Sequence, residues 1–420
     1  MTKLPFSDIL LPWFAFEYIS KGSIFMNRST AVRPHRHHHH HHIDLIGLAR
    51  HTGALVKDFA SKNIVLLIAS TLAIISCFII KPDAEYITYF DFKTLTCLFC
   101  TLAVICALKN IRFFTITARK IVRCAGNTRT LSLALVYITF IGSMFLANDM
   151  ALLTFLPLGY ISLSSTGKEK YMAPIFIFQN IAANLGGMLT PFGNPQNLYI
   201  YTKFNIPTGE FMAVMLLPFA LSIALFTLCC LFIPKESLTL DDAVDEKISS
   251  PKTIFNLVLF ALTILTVFRI IPYYICLPII LVAVLLTDKK ALAKVDYPLL
   301  LTFVAFFLLA GNVARIEAVS NFFSFLLEKN TLLTSVLSCQ VISNVPSAIL
   351  LSEFTTNWRE LLVGVNIGGV GTLISSLASL ITFREYTSHI KGKTLKYIGL
   401  FSALNFGFLI ILTTVMMIVF

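Results

Sequence analysis

Long apolar runs separated by short charged stretches dominate this chain. A helix needs about 20 apolar residues, at ~1.5 Å each, to cross a bilayer. Residues 63–80, 92–108, 210–233, 253–268, 271–287, 297–313 and 395–420 read as such helices. Four other runs are irregular. Segments 171–203 and 360–384 are apolar but rich in Gly, Asn, Ser and Thr, while 131–163 and 331–352 carry a polar break near the middle. Backbone polar groups in lipid must be satisfied internally unless they line a cavity. The first pair therefore predicts broken transmembrane helices, and the second predicts re-entrant hairpins.

Composition agrees with the pattern. Hydrophobic residues make up 56% of the 420, charged residues 13%, and mean hydropathy is +0.80, whereas soluble domains carry roughly 25% charged residues. A soluble enzyme, a disordered regulator and a secreted disulfide scaffold are all excluded. The net charge of +11 would suit nucleic acid, but the basic residues sit in short loops between apolar runs, where they fix topology. If the hairpins return to their starting side, loops 109–130, 164–170, 234–252, 288–296 and 384–396 share one face with eighteen Lys and Arg, against seven on the other. The basic face is expected to be cytoplasmic, with the N-terminus inside and the C-terminus outside, in a multi-pass inner or plasma membrane protein. The expected division is an N-terminal cytoplasmic or interfacial segment 1–62, a first membrane half 63–233, a cytoplasmic, solvated linker 234–252 and a second half 253–420. The six histidines 37–42 are either a tag or a natural tract and carry no functional weight. Cys97 and Cys100 have a redox-like spacing but sit in an apolar run without further ligands, and read as packed thiols.

The chain repeats itself. Asn184, Gly186, Gly187, Thr190, Gly193 and Asn194 recur at the same spacing as Asn366, Gly368, Gly369, Thr372, Ser375 and Ser376. Each stretch follows a polar-centred run (Asn148 and Asp149 in one, Ser343 and Asn344 in the other), and each run follows an apolar helix opened by Asp91 or Asp296. The order helix, hairpin, broken helix, helix thus occurs twice. Each unit holds three crossings and two further crossings lie between, so the repeats are expected to be inverted. Paired broken helices in inverted repeats point to a secondary transporter's midplane site.

The glycine pairs 186–187 and 368–369 let backbone approach closely. Pro191 and Pro195 cannot donate helix hydrogen bonds, so the first break is expected over 190–195, with Asn194 as N-cap of the next half-helix and Ser375 or Ser376 capping its counterpart. Half-helix N-termini suit an anion. The expected site takes in Asn148, Asp149, Asn184, Gly186, Gly187, Thr190, Gly193, Asn194 and Asn197 from unit one. Unit two adds Ser343, Asn344, Asn366, Gly368, Gly369, Thr372, Ser375, Ser376 and Ser379. Tight helix packing alone would also use such small residues. No metal cofactor is expected, only a coupling ion, Na⁺ or H⁺, with Na⁺ near Asn148, Asp149 and Asn344. Asp149 either carries that ion or caps the second hairpin helix.

Residues 146–152, the stretch from Leu189 through Gly193, Asn194, Pro195 and Gln196 to Asn197, and residues 341–347 resemble the ion transporter superfamily. The likeness is nearest to citrate-transporter-like anion permeases, with arsenite pumps and NhaD-type sodium/proton antiporters as relatives. The resemblance implies an all-α, elevator-like carrier whose hairpin tips and broken helices bind substrate and cation. Dicarboxylate members carry Ser-Asn-Thr at both tips. Here Asp149 and Val345 follow the tip asparagines, so the hydroxyl is absent and cargo stays open among carboxylates, inorganic oxyanions and arsenite. The chain has no His-Glu-x-x-His pair and no nucleotide loop, which argues against an enzyme; a channel would not need broken helices. The expected partners are a small anion, membrane lipid and, optionally, a second copy in a homodimer. Arg269 is expected to reach the interface, and Arg315 to pair with Glu317.

Overall fold

The computed structural model describes residues 63–238 and 250–420. The expected N-terminal segment and most of the linker lie outside the described residues. What is described is helical, with one isolated antiparallel bridge between Asn127 and Ser237. The first half runs α1 (Ile64–Ile79), α2 (Phe92–Asn110), α3 (Phe113–Arg123), α4 (Thr128–Leu146), α5 (Asn148–Ser165), α6 (Met172–Gly186), α7 (Pro195–Lys203) and α8 (Thr208–Leu231). After the linker come α9 (Ser250–Val267), α10 (Tyr273–Thr287), α11 (Lys289–Ala293), α12 (Tyr297–Ala314), α13 (Glu317–Lys329), α14 (Thr331–Ile342), α15 (Asn344–Leu351), α16 (Trp358–Ile367), α17 (Leu377–His389) and α18 (Thr394–Val419). The series α2 to α8 and α12 to α18 have the same order: a long helix, a short one, a pair joined by one residue, an interrupted helix and a final long helix.

Matched caps start these helices. Asp91 accepts from Thr94 N at 2.9 Å to open α2, and Asp296 accepts from Leu299 N at 3.0 Å to open α12. Asn127 and Asn330 cap the first hairpin arms, α4 and α14. Each cap satisfies a backbone N–H that the helix itself leaves open. Six helices among the described residues are long and apolar enough to cross a membrane: Phe92–Asn110, Thr128–Leu146, Glu169–Leu189, Thr208–Leu231, Tyr297–Ala314 and Thr394–Val419. Three expected spans form shorter apolar helices: the 16 residues of α1, Pro251–Val267 within α9, and the 15 residues of α10. The arm α4, expected within a re-entrant hairpin, is itself of spanning length.

Both polar-centred runs turn on a single residue. Ala147 (φ 61°, ψ 155°) joins α4 to α5, and Ser343 (φ 76°, ψ 160°) joins α14 to α15. This region is close to glycine-only and costs about 1–3 kcal/mol per residue. The interrupted helices break where the glycines and prolines predict, between α6 and α7 and between α16 and α17. Two capping expectations divide. Ser376 accepts from Ala378 N and caps α17. Asn194 occupies the N-cap position of α7, before Pro195, but makes no capping bond, because its amide donates to Asn184 O and Asn366 Oδ1. Ser375 is likewise turned inward, donating to Gly369 O and Thr372 O.

Helix α12 packs along α1, and α2 on α9 and α10; each hairpin packs on the interrupted helix that follows it. Exposed Ile68, Ile75 and Phe78 on α1, and Leu395, Ile410 and Ile418 on α18, form apolar surfaces suited to lipid. Of three surface expectations, the pairing of Arg315 needs correction, and the structure adds detail to the other two. Arg269 turns inward: its guanidinium lies 4.2 Å from the Tyr201 ring centroid and donates to Tyr201 O and Ile206 O, closing the end of α7. Arg315 pairs with Asp83 at 2.7 Å rather than with its chain neighbour Glu317. The start of the linker is anchored rather than freely solvated. There Lys168 and Lys170 (2.8 and 2.6 Å) and the Tyr171 hydroxyl bind Glu236 and hold its carboxyl down at about 2.

Candidate functional site

The two hairpin tips and two broken helices meet at a cavity of about 170 Å³. Asn148, Asp149, Pro195, Ser343, Asn344, Val345, Ser376 and Leu377 line it, and Asn63, Asp296, Pro298, Thr302 and Arg384 are among the other lining residues. The first group are the opening residues of α5, α7, α15 and α17, so four helix N-termini converge on one small volume. Each brings the positive end of a helix dipole, about half a charge, to that volume, although α15 has already spent its first N–H groups: Asn344 N donates to Ser375 O, Val345 N to Asn344 Oδ1, and Pro346 has none. A larger surface hollow, about 840 Å³ around Lys203, Glu353 and Asn357, contains none of the sequence-predicted site residues.

The tips are built alike. Asn148 Oδ1 accepts from Asp149 N at 3.0 Å, and Asn344 Oδ1 accepts from Val345 N at 2.9 Å. The Asn148 amide then bridges the halves, donating to Asn184 Oδ1 at 3.1 Å and Ser376 Oγ at 3.4 Å. Ser343 Oγ and Asn344 N both donate to Ser375 O. Asp149 Oδ1, Asn194 Oδ1 and Gln196 Oε1 are buried acceptors without a hydrogen-bond partner. Asp149 does not serve as a side-chain cap.

Behind the cavity lies a buried amide network. Asn366 donates to Asn197 Oδ1 at 2.6 Å and accepts from Asn194 and Gln196. Asn197 donates to the carbonyls of Gly187, Met188 and Thr190, tying the first break together. Asn180 donates to Ser379 Oγ at 3.3 Å and Asn405 Oδ1 at 3.5 Å. Thr190 Oγ1 donates to Met144 O, and Thr372 Oγ1 to Gln340 O; each acceptor sits three residues before its hairpin turn. A Cβ on Gly186 would lie 2.7 Å from Ser143 Oγ, and one on Gly368 2.8 Å from Cys339 Sγ, each four residues before the turn. Gly193 packs on Gly187 O, and Gly369 faces the Asn344 amide.

The sequence-predicted residues therefore separate. Asn148, Asp149, Ser343, Asn344 and Ser376 line the cavity. Asn184, Gly186, Gly187, Thr190, Gly193, Asn194, Asn197, Asn366, Gly368, Gly369, Thr372, Ser375 and Ser379 are not among its lining residues; their bonds and close packing brace it. Sequence reasoning missed Gln340, whose amide donates to Gly368 O (2.9 Å) and Val370 O (3.2 Å) while its carbonyl accepts from Thr372 N (2.9 Å). A lone polar residue three positions before Ser343 was the available signal. It also missed Asn180, Gln196, Asp296 and Arg384 as site residues; Asp296 read only as the opening of a helix and Arg384 as a loop charge.

Comparison with known proteins agrees with this arrangement. Residues 54–357 match the family model described as citrate transporter, a span that includes both hairpins and the first broken helix. The chain is 34% identical over 344 residues to an uncharacterized transporter of Methanocaldococcus jannaschii, covering 81% of this chain and 92% of that protein. It is 32% identical over 279 residues to the inner membrane protein YbiR of Escherichia coli, covering 65% of this chain and 74% of that one. The family is one of transporters and not of enzymes, and this chain belongs to it: it is a member of the citrate transporter family.

Proposed function

We propose that the chain is a secondary active transporter that moves a small carboxylate or inorganic oxyanion across the inner membrane, coupled to Na⁺ or H⁺, by elevator-like alternating access of two inverted repeats. The convergence of four helix N-termini on the 170 Å³ cavity carries this reading, because it aims the positive ends of four helix dipoles at one point. The matched tip geometry and matched brace contacts support two related repeats. A relative named as an inner membrane protein supports the location, and the Lys and Arg asymmetry supports a cytoplasmic N-terminus and an external C-terminus.

Asp149 supplies the coupling. A fixed carboxylate beside the N-termini competes with a bound anion, and its Oδ1 is a buried acceptor without a partner. A proton or Na⁺ on Asp149 relieves that conflict and admits the anion, so binding of the two is linked. The cavity's second carboxylate, Asp296, favours one alternative, a sodium/proton antiporter with no anion cargo. Counterflow in proteoliposomes decides between them, using dicarboxylates, citrate, inorganic oxyanions and arsenite under imposed Na⁺ or pH gradients. Saturable exchange of an anion supports the proposal. Na⁺/H⁺ exchange with no anion counterflow overturns it, as would unitary currents.

A further inference from the structure

We propose that Arg384 is a specificity-determining residue, the cationic side chain that meets the transported anion at the rim of the cavity; this rests on the anion-transport reading above. In sequence Arg384 is one of the loop charges that fix topology, along with Lys391, Lys393 and Lys396. The structure sets it apart. Ser376, Leu380 and Arg384 are spaced four apart at the start of and along α17, and all three line the cavity. The three lysines do not.

The eight residues from Ser376 to Arg384 span ~12 Å of helix. Ser376 is buried beside the hairpin tips, whereas Arg384, about two turns further along α17, is exposed. The charged groups lining the cavity among the described residues are Asp149, Asp296 and Arg384. Asp149 is on the tip of α5; Asp296 opens α12 and uses one oxygen to hold Leu299 N. An anion in the cavity therefore meets two carboxylates, and Arg384 is the lining charge of opposite sign. A guanidinium also presents a planar fork of donors that matches a carboxylate or an oxyanion, which an ammonium does not. Attraction at a rim acts on capture and is screened by salt, whereas bonds at the hairpin tips act on the translocated complex.

The test uses the full chain in proteoliposomes and whichever of acetate, succinate, citrate and phosphate the wild type exchanges. In Arg384→Gln the KM is expected to rise tenfold or more while the maximal rate stays within twofold. Its KM should also lose the rise with ionic strength seen in the wild type. Arg384→Lys should restore the salt dependence and part of the affinity, since it keeps charge without the fork. A KM in Arg384→Gln within twofold of wild type overturns the proposal. So does a joint loss of rate and affinity that lysine does not rescue, because that marks a structural role. Failure of the wild type to exchange any of the four anions counts against the anion reading itself; failure confined to the variants counts against Arg384 alone.

Discussion

Gly186→Ala puts a close backbone contact between α6 and α4 under load. A Cβ there would sit 2.1 Å from Phe140 O and 2.7 Å from Ser143 Oγ. Phe140 O is backbone inside α4, so no rotamer change relieves the clash, and α4 and α6 must part by ~1 Å to reach an ordinary contact distance. Overpacking of this kind costs about 1–3 kcal/mol, which lowers the folded-to-unfolded ratio roughly 5- to 150-fold. The same shift reaches the site. Asn184 is two residues away and accepts from the Asn148 amide at 3.1 Å, and another ~1 Å takes that pair out of hydrogen-bond range. Transport should therefore fail at temperatures where the variant is still folded. Thermal melting in detergent and counterflow at 25 °C measure the two effects separately. Gly209→Ala is the control: nothing lies within 4 Å of its Cβ position, and it should melt and transport like the wild type. A Gly186→Ala protein indistinguishable from wild type in both assays would refute the reasoning, as would equal damage from Gly209→Ala.

Asn148→Ala and Asn344→Ala each remove a tip amide that lines the cavity and should lower uptake at least tenfold while membrane insertion is kept; near-normal transport in both sinks the site assignment. Asp149→Asn keeps the side chain's shape but not its charge, and should abolish the dependence of uptake on pH or on Na⁺; unchanged dependence would show that Asp149 does not carry the coupling ion. Gln340→Leu strands Thr372 N and the carbonyls of Gly368 and Val370, at about 1–3 kcal/mol for each buried group left unpaired. It should lower the melting temperature clearly, whereas Met144→Leu at the matching position of unit one should not; equal melting of the two would remove Gln340 from the frame.

Much of the architecture could be read before any coordinates, because bilayer physics leaves few choices for an apolar chain. The two hairpin turns fall beside the asparagines that marked them, and both interrupted helices break at the Gly and Pro positions. What could not be read was the division of labour within the polar set. Asn197 and Thr190 look as functional in sequence as Asn148, yet they spend their bonds on backbone carbonyls. Only three-dimensional proximity shows which amides have already been satisfied by backbone. Arg269 and Gln340 were missed for the same reason. Each closes a backbone end contributed by a distant segment, 63 to 68 residues away for Arg269 and 28 to 32 for Gln340, and no local pattern records such a pairing.

The two tips share a backbone conformation but not a chemistry, and the difference follows from charge. Asn148 and Asn344 hold the same N–H one residue on, and both follow a turn at positive φ. The next side chain is Asp149 in one unit and Val345 in the other, and both line the cavity. A carboxylate at each tip would place two negative charges, with Asp296 a third, in about 170 Å³. Two carboxylates held close cannot both stay ionised without a cation between them, and four helix N-termini would then face net negative charge instead of cargo. With one carboxylate, a single proton or Na⁺ is enough to switch the site between repelling and accepting an anion. In the proposed mechanism the matched tips supply the geometry of the site, and breaking the match at Asp149 supplies the means to couple it. On this reasoning Val345→Asp should weaken anion counterflow more at high pH than at low pH, and a loss independent of pH would point to mispacking of α15 instead.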